Sequence, residues 1–271
     1  PERVRPGEIW ALDDHRLLCG DSTKPEHLLA LFGDKRASMV FTDPPYNVAY
    51  EGGTAEKLTI ANDDIGDAEF RQFLRDAFTA AIGVTAPGGA IYICHADSEG
   101  YNFRGSMVEA GWLLKQCLIW VKNTFALGRQ DYQWKHEPIL YGWKPGRHRW
   151  YGGRKQSTAI DAGPGVTVED EKNGHVITID FGDRSLVLRV PKYEVIHAGD
   201  NASVIKIDKP AKNPDHPTMK PLKLPAQAIR NSSKRGEIVL DSFLGSGSTL
   251  IAAHQLGRVC YGVEMSPRYC D

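Results

Sequence analysis

The 271-residue sequence lacks any apolar run long enough to span a bilayer, and no signal peptide opens it. It also lacks paired cysteine spacings, since its five cysteines are scattered (Cys19, Cys94, Cys117, Cys260 and Cys270). We therefore expect neither a disulfide framework nor a zinc site, and no other metal site is indicated. Free thiols are typical of a reducing compartment, so the sequence predicts a soluble, cytoplasmic protein.

The chain also lacks an excess of charge. It has 33 basic and 34 acidic residues, a net charge of −1, so any electrostatic surface for nucleic acid must be local. With 41% hydrophobic and 25% charged side chains, the chain can bury a substantial core as a single α/β unit. It does not begin with Met and stops soon after Glu264, so we expect it to be a segment of a longer protein.

One stretch joins an acid, two prolines and an aromatic ring directly after an apolar run. The run of residues 38–41 is short, largely apolar and β-prone, so it predicts a buried strand whose carboxyl end presents Asp43. Pro44 and Pro45 fix the backbone and leave carbonyls without strand partners, while Tyr46 offers a face for a planar ring. A carboxylate and a carbonyl can accept both hydrogens of one NH₂ group, which predicts a site for an exocyclic amine of a nucleobase. An ordinary strand-to-loop turn is the alternative.

A second stretch predicts a cofactor site. Residues 237–249 form a strand, a glycine turn and a helix start, and the next strand ends in Glu264, 17 residues after Gly247. This pattern is typical of nucleoside binding, in which glycines allow close backbone approach and a carboxylate holds the ribose hydroxyls. The third glycine of a dinucleotide site and the lysine of a phosphate-binding loop are both missing. We therefore expect a cofactor without a phosphate group to cradle.

Together these motifs resemble the amino-group DNA methyltransferases that use S-adenosylmethionine, in their circularly permuted β-type order. That family has Asp-Pro-Pro-Tyr early, as in residues 43–46, and Phe-x-Gly-x-Gly late, as in residues 243–247. Residues 216–221 resemble the family segment that contacts the methionine end of the cofactor. Gly20-Asp21 resembles its N-terminal acid that binds the cofactor adenine, although an N-cap role for Asp21 is the alternative.

The resemblance implies a fold, a reaction and a set of site residues. The fold is a Rossmann-like, mostly parallel twisted sheet with helices on both faces. The reaction is methyl transfer to N6 of a flipped-out adenine in double-stranded DNA, in a bacterial or phage-encoded enzyme of the restriction-modification type. The implied catalytic residues are Asp43, Pro44, Pro45 and Tyr46. The implied cofactor-binding residues are Asp21, His216, Thr218, Lys220, Asp241, Phe243, Gly245, Ser246, Gly247, Ser248, Thr249 and Glu264. Whether the chain acts as a monomer or a homodimer stays open.

Residues 115–155 carry a local positive charge, with nine basic residues against two acidic ones, a net of +7. Aromatic residues interleave with them, and this combination suits phosphates and unstacked bases. Core packing is the alternative and covers Trp120 and Tyr141. The predicted DNA-binding residues are Lys122, Arg129, Tyr132, Trp134, Lys135, Arg147, Arg149, Arg154 and Lys155. Residues 125–137 resemble the family segment that wraps the flipped base, and this resemblance implies that Tyr132 or Trp134 stacks on it.

Three other segments carry expectations. Residues 47–68 are read as a flap over the target base, with surface disorder as the alternative. An amphipathic helix follows, capped near Asp67 and ended by Gly83 or by residues 87–89. Residues 159–203 alternate in β-prone residues around an Asn173-Gly174 hairpin signal, so we expect a small antiparallel insertion between catalytic segments 1–158 and 204–271. It lies where the family carries target-recognition segments, but its acidic residues suit a protein-contacting or decorative role equally.

Three rival functions stay open. Cytosine N4 methylation is chemically similar, but cytosine-specific members of the family more often have Ser where this chain has Asp43. Methylation of protein glutamine uses a related tetrapeptide beginning with Asn, in enzymes that are not permuted. A non-catalytic DNA-binding regulatory module is the third alternative, and the intact motifs argue against it.

Overall fold

The computed structural model describes residues 3–48, 63–126, 130–160, 165–171, 174–180, 185–191 and 220–270. In these ranges the strands are β1 (Ile9–Leu12), β2 (His15–Cys19), β3 (Ala37–Thr42), β4 (Thr85–Cys94), β5 (Leu113–Ala126), β6 (Trp134–Trp143), β7 (Ala159–Ile160), β8 (Gly165–Glu171), β9 (Gly174–Asp180), β10 (Ser185–Pro191), β11 (Ile238–Asp241) and β12 (Val259–Glu264). The helices are α1 (Pro25–Phe32), α2 (Asp67–Val84), α3 (Gly100–Glu109), α4 (Lys223–Ser232), α5 (Ser248–Gln255) and α6 (Pro267–Cys270).

Nine strands form one mixed sheet in the order β1-β2-β12-β11-β3-β4-β6-β5-β7. The central strands β2, β12, β11, β3 and β4 are parallel, whereas β6 is antiparallel to both β4 and β5. From β11 the chain moves through α5 to β12 on one side, and from β3 it moves through α2 to β4 on the other. The connections therefore diverge between β11 and β3, which is the position where open α/β sheets bind their ligands.

Successive residues of the central strands pack on opposite faces of the sheet. In β3, Val40 packs with α1, α2 and α3, whereas Met39 and Phe41 pack with α4 and α5. All six residues of β3 are buried, as expected for a parallel strand covered on both faces. The predicted mostly parallel sheet with helices on both faces is confirmed.

The predicted antiparallel insertion is present as a separate three-stranded sheet in the order β10-β9-β8. Its first boundary requires a correction, because Ala159 and Ile160 form β7 and pair with β5 in the main sheet. The last part of the predicted insertion, residues 192–203, lies outside the described residues. The 159–203 division otherwise stays a prediction.

Helix α2 begins beside Asp67 as predicted, but it has no side-chain cap and ends one residue past Gly83. Asp67 is its first residue and does not cap it, since Gly66 is the N-cap and no side chain caps the N-terminus. The helix continues through Gly83 to Val84, where Lys144 donates hydrogen bonds to the carbonyls of Ile82 and Thr85 at 2.7 and 2.8 Å. A long-range lysine therefore satisfies the helix end that glycine was expected to terminate. No helix among the residues that the structure describes is long and apolar enough to cross a lipid bilayer.

Candidate active site

Asp43 lies directly after β3, and both of its carboxylate oxygens are held. Tyr46 donates its hydroxyl hydrogen to Oδ1 across 2.7 Å, and Lys220 places its Nζ 2.9 Å from Oδ2. The lysine also donates to the Tyr46 hydroxyl at 3.0 Å and lies 5.1 Å from the centre of the tyrosine ring. Lys220, which was predicted to contact the cofactor, therefore has its ammonium group on the catalytic motif.

A second carboxylate, Glu137 on β6, completes this cluster. Its Oε2 lies 3.3 Å from Lys220 Nζ and its Oε1 lies 2.5 Å from Lys122 Nζ. The side chains of Asp43, Glu137, Lys220 and Lys122 are 21%, 18%, 11% and 20% exposed, respectively. Two acids and two bases thus form a nearly buried chain that is neutral as a whole.

The electrostatics follow from this pairing. Burial alone would raise the pKa of Glu137, but Lys220 and Lys122 outweigh burial and lower that pKa to about 2. Burial alone would lower the pKa of Lys220, but Asp43 and Glu137 outweigh it and raise that pKa. Burial and the neighbouring carboxylates of Asp43 and Glu137 raise the pKa of Tyr46. Glu137 and Lys220 are therefore charged, and Tyr46 is a neutral hydroxyl, at physiological pH.

The backbone after the prolines is fixed by Asp63, which is 4% exposed. Its Oδ1 accepts hydrogen bonds from the backbone N–H groups of Tyr46 and Asn47 at 2.9 and 2.8 Å. Asn47 adopts a positive φ of 56° and exchanges two hydrogen bonds with the backbone of Ile65. Both ends of the predicted 47–68 flap are therefore anchored, while residues 49–62 lie outside the described residues.

The glycine turn after β11 has the predicted form. Gly245 and Gly247 have φ values of 50° and 77°, a conformation that favours glycine. A Cβ added to Gly247 would meet no atom within 4 Å, so open space adjoins the turn. Glu264 at the end of β12 supports the turn, since its Oε2 accepts from Gly245 N at 2.9 Å and its Oε1 accepts from Ser266 N at 2.8 Å.

The residues around this turn are held internally. Asp241 is 3% exposed and its Oδ1 accepts from Phe243 N at 3.1 Å. Burial raises its pKa to about 7 despite the opposing hydrogen bonds from Thr249 and Phe243. Ser248 donates to the carbonyl of Lys220 at 2.9 Å and lies 3.2 Å, hydroxyl to hydroxyl, from Ser246. The hydrogen bond from Ser248 to the Lys220 carbonyl ties the glycine turn to Lys220, the residue whose side chain contacts Asp43.

Asp21 lies after β2, at the same edge of the sheet. Its Oδ1 accepts from the backbone N–H and the hydroxyl of Thr23 at 2.9 and 2.7 Å. The N-cap of α1 is Lys24, so Asp21 closes the turn before the helix and does not cap it. Its predicted role toward the cofactor stays a prediction.

The predicted DNA-binding residues that the structure describes lie in three places. Strand β6 begins at the edge of the sheet where Asp43 lies, so Trp134 and Lys135 extend beyond that edge together with Tyr132. Tyr132 and Trp134 are 90% and 41% exposed. Lys122 lies nearby on β5, but its ammonium group forms an ion pair with Glu137.

Arg147 and Arg149 lie at the opposite edge. Trp143, the last residue of β6, pairs with Ala90 of β4, and Arg149 N donates to Gly88 O, two residues earlier in β4, at 3.3 Å. Gly88 is six residues before Cys94 in β4, or about 20 Å along the strand from the edge where Asp43 lies. Arg149 also pairs with Glu237 at 3.4 Å. The structure therefore does not bring these two arginines together with the catalytic motif.

Arg154 and Lys155 are exposed, and they lie in the segment between Arg149 and β7. Three predicted site residues, Arg129, His216 and Thr218, lie outside the described residues. Trp120 and Tyr141 are 3% and 5% exposed, which confirms that they belong to the core.

A family model identifies the chain. The model named N6_N4_Mtase and described as DNA methylase matches residues 37–271. The chain belongs to this DNA methylase family. The resemblance to amino DNA methyltransferases that use S-adenosylmethionine is thereby confirmed.

Two relatives of this DNA methylase carry names that agree with the family. The Type II methyltransferase M.HpaI of Haemophilus parainfluenzae is 25% identical over 260 residues, which cover 95% of this chain and 72% of that protein. The Type II methyltransferase M2.DpnII of Streptococcus pneumoniae is 25% identical over 238 residues, covering 85% and 78%.

Solved structures share the fold of the DNA methylase. The cytosine-N4-specific PvuII DNA methyltransferase has a TM-score of 0.63 at 16% identity, covering 93% of this chain and 82% of that one. The M1.HpyAVI–SAM complex has a TM-score of 0.54 at 18% identity, covering 93% and 94%. TTHA0409 of Thermus thermophilus, described as a DNA modification methylase complexed with S-adenosyl-L-methionine, has a TM-score of 0.56 at 23% identity, covering 94% and 90%.

Glu137 and Asp63 were not among the site residues predicted from the sequence. Glu137 carried a usable signal, because it is one of only two acids among the basic residues of 115–155. An acid in such a setting is a candidate for a buried ion pair. Asp63 carried no such signal, since it lies in a polar loop with other acids.

Proposed function

We propose that this DNA methylase transfers a methyl group to the exocyclic N6 of adenine in double-stranded DNA, with the adenine extruded from the duplex. The observation that carries the proposal is the carboxylate of Asp43 at the carboxyl end of β3, beside the glycine turn that follows β11. A carboxylate at this position is the feature that favours adenine over cytosine, because cytosine-specific members of the family more often have Ser there.

The residues at the end of β11 fit the cofactor of the family. The left-handed turn at Gly245 and Gly247 lets a ligand approach the backbone, and open space adjoins Gly247. Glu264 lies beside the turn, where burial raises the pKa of its carboxyl group, and its oxygens have further lone pairs for ribose hydroxyls. S-adenosylmethionine supplies a methyl group already activated by a sulfonium, so the task left to the protein is positioning.

Asp43 and Pro44 would act on the amine. The lone pair of an exocyclic amine is delocalised into the ring, and it must be drawn out before the nitrogen can attack. The Asp43 carboxylate and the Pro44 carbonyl can each accept one N–H, and among the described residues no backbone N–H donates to that carbonyl. These hydrogen bonds strengthen as the nitrogen becomes tetrahedral, so they stabilise the transition state more than the bound base.

The adenine must leave the duplex to reach Asp43, at a cost of roughly a few kcal/mol. Exposed aromatic side chains next to the site offset this cost by stacking on unpaired bases. Tyr132 and Trp134 extend from the edge of the sheet where Asp43 lies, and Lys135 adds a positive charge for phosphate. We assign these three residues to the DNA surface.

Analysis of the methylated nucleosides tests the proposal. DNA from a methylation-deficient host is incubated with the protein and S-adenosylmethionine, digested to nucleosides and analysed by mass spectrometry. We expect N6-methyladenine. N4-methylcytosine would replace adenine by cytosine as the substrate, and the absence of any methylated nucleoside from a protein that binds DNA would favour the non-catalytic module.

A further inference from the structure

We propose that Glu137 is a positioning residue for methyl transfer, acting on Asp43 through Lys220. The proposal rests on the function proposed above only in that methyl transfer takes place at Asp43. Glu137 lies on β6, three strand residues after the aromatic Trp134. Its described partners are Lys220, Lys122 and, at the longer distance of 3.4 Å, the Tyr46 hydroxyl, and none of them belongs to the glycine turn.

The geometry at Lys220 is the first argument. An ammonium group has three N–H donors. Lys220 Nζ has three oxygen partners, which are Asp43 Oδ2 at 2.9 Å, Tyr46 Oη at 3.0 Å and Glu137 Oε2 at 3.3 Å. Glu137 therefore supplies the third acceptor of a lysine that is only 11% exposed. Without it, one buried donor loses its partner and the orientation of the ammonium is no longer fixed.

The link from Lys220 to the reacting group is the second argument. Lys220 holds one oxygen of Asp43, and Tyr46 holds the other while accepting from the same lysine. These three groups form a closed triangle, so a displaced lysine changes the orientation of the carboxylate and of the tyrosine together. Misplacement of a reacting group by about 1 Å can cost about 10²-fold in rate.

Charge is the third argument. Asp43 and Glu137 share Lys220, and Lys122 balances the second acid, so the cluster is neutral. If Glu137 lost its charge, Lys220 would pair with Asp43 alone and compete more strongly with the amine for the Asp43 oxygens. Glu137 therefore keeps Asp43 available as an acceptor while fixing its position.

Glu137→Gln tests the proposal in single-turnover assays on DNA from a methylation-deficient host, with DNA and S-adenosylmethionine both saturating. We expect the rate constant to fall about 10- to 100-fold, with the dissociation constants for DNA and cofactor changed much less. Glu137→Asp should recover part of the rate. Glu109→Gln is the matched control, because Glu109 also bridges two cations, Arg71 and Arg75, on the outer surface of α2 and α3. It should leave the rate unchanged.

A double-mutant cycle distinguishes positioning from a general effect on the fold. If Glu137 acts through Lys220, Glu137→Gln should have no further effect on the rate in a Lys220→Gln background. The double variant also removes one charge of each sign, which limits its loss of stability. Wild-type turnover of Glu137→Gln, or independent and additive losses in the cycle, would overturn the proposal. A wild-type product of N4-methylcytosine would instead overturn the adenine assignment and leave the coupling of Glu137 to Lys220 standing.

Discussion

At the scale of single residues, Asp43 has two tasks that one substitution can separate. Its carboxylate pairs with Lys220, and it is proposed to accept a hydrogen from the amine. Asp43→Asn keeps the size of the side chain and one acceptor oxygen but loses the charge. We expect folded protein that binds S-adenosylmethionine and DNA but turns over more slowly in single-turnover assays, with a smaller loss than the about 10²–10³-fold expected for Asp43→Ala, which keeps no acceptor. Turnover near the wild-type rate would remove the carboxylate from the mechanism.

The buried carboxyl group of Asp241 predicts how folding stability depends on pH in the protein free of cofactor and DNA. Burial raises its pKa to about 7 in the folded state, above its ordinary value of 3.8. As pH rises from about 4 to about 7, the unfolded chain releases this proton while the folded chain retains it, so folding stability falls. Asp241→Asn removes this loss. The unfolding free energy of the variant should therefore increase relative to that of the wild type as pH rises across this range, by on the order of 4 kcal/mol at most.

Urea unfolding of both proteins at several pH values measures this difference. His95 acts in the opposite direction, because burial lowers its pKa to about 4 and its contribution to stability is lost as pH falls from about 6.5 to about 4. Both proteins carry His95, so its effect cancels in the comparison. A difference that did not change with pH would mean that Asp241 is ionised in the folded protein throughout this range.

At the scale of elements, the strand, glycine turn and helix from β11 to α5 form a unit that Glu264 supports from β12. Glu264→Ala removes an acceptor of Gly245 N and the proposed partner of the ribose hydroxyls. We expect the dissociation constant for S-adenosylmethionine to rise by the equivalent of about 1.5–3 kcal/mol. Isothermal calorimetry measures it directly. Undiminished affinity in a folded variant would leave Glu264 with a structural role alone.

The hairpin of β5 and β6 carries the prediction for DNA. Tyr132→Ala combined with Trp134→Ala should weaken DNA binding by about 1–3 kcal/mol for each stacked base lost. Arg147→Ala and Arg149→Ala, at the opposite edge of the sheet, should have a smaller effect. Fluorescence anisotropy with a labelled duplex at fixed salt compares the two double variants. A larger loss from the arginines would place the DNA on the far edge and contradict the assignment of the hairpin.

These elements also show what a sequence can predict. The β3 strand and the turn at Gly245 and Gly247 were predictable because each motif is local, with residue types that have few other uses. The separation of Arg147 from Lys135 was not, because both belong to one basic stretch in the sequence. Strand β6 crosses the sheet between them, and its antiparallel pairing with β4 places the end near Lys135 at the edge where Asp43 lies. The partnership of Lys220 with Glu137 was equally hidden, since it joins residues 83 positions apart.

At the scale of the whole molecule, the circular permutation places the two motifs far apart in the sequence and next to each other in the sheet. Asp43 follows β3 and Gly245 follows β11, and these strands are adjacent and parallel. Ser248 then bonds to the carbonyl of Lys220, whose side chain contacts Asp43. The glycine turn and the catalytic motif are therefore joined through a single residue, so the position of one should affect the position of the other.

Among the described strands, β8, β9 and β10 pair only with one another. The catalytic sheet has β7 as its last strand and does not include them. We therefore expect the catalytic domain to fold without it. Replacement of residues 165–191 by a flexible Gly-Ser linker of about ten residues should leave thermal stability and S-adenosylmethionine affinity close to those of the wild type. Calorimetry and circular dichroism measure both, and loss of cofactor binding would show that the catalytic domain depends on this sheet.

In a variant that binds cofactor, methylation-sensitive sequencing then tests target recognition. An unchanged set of methylated sites would exclude that role for the inserted sheet, whereas methylation spread over other sites would assign it.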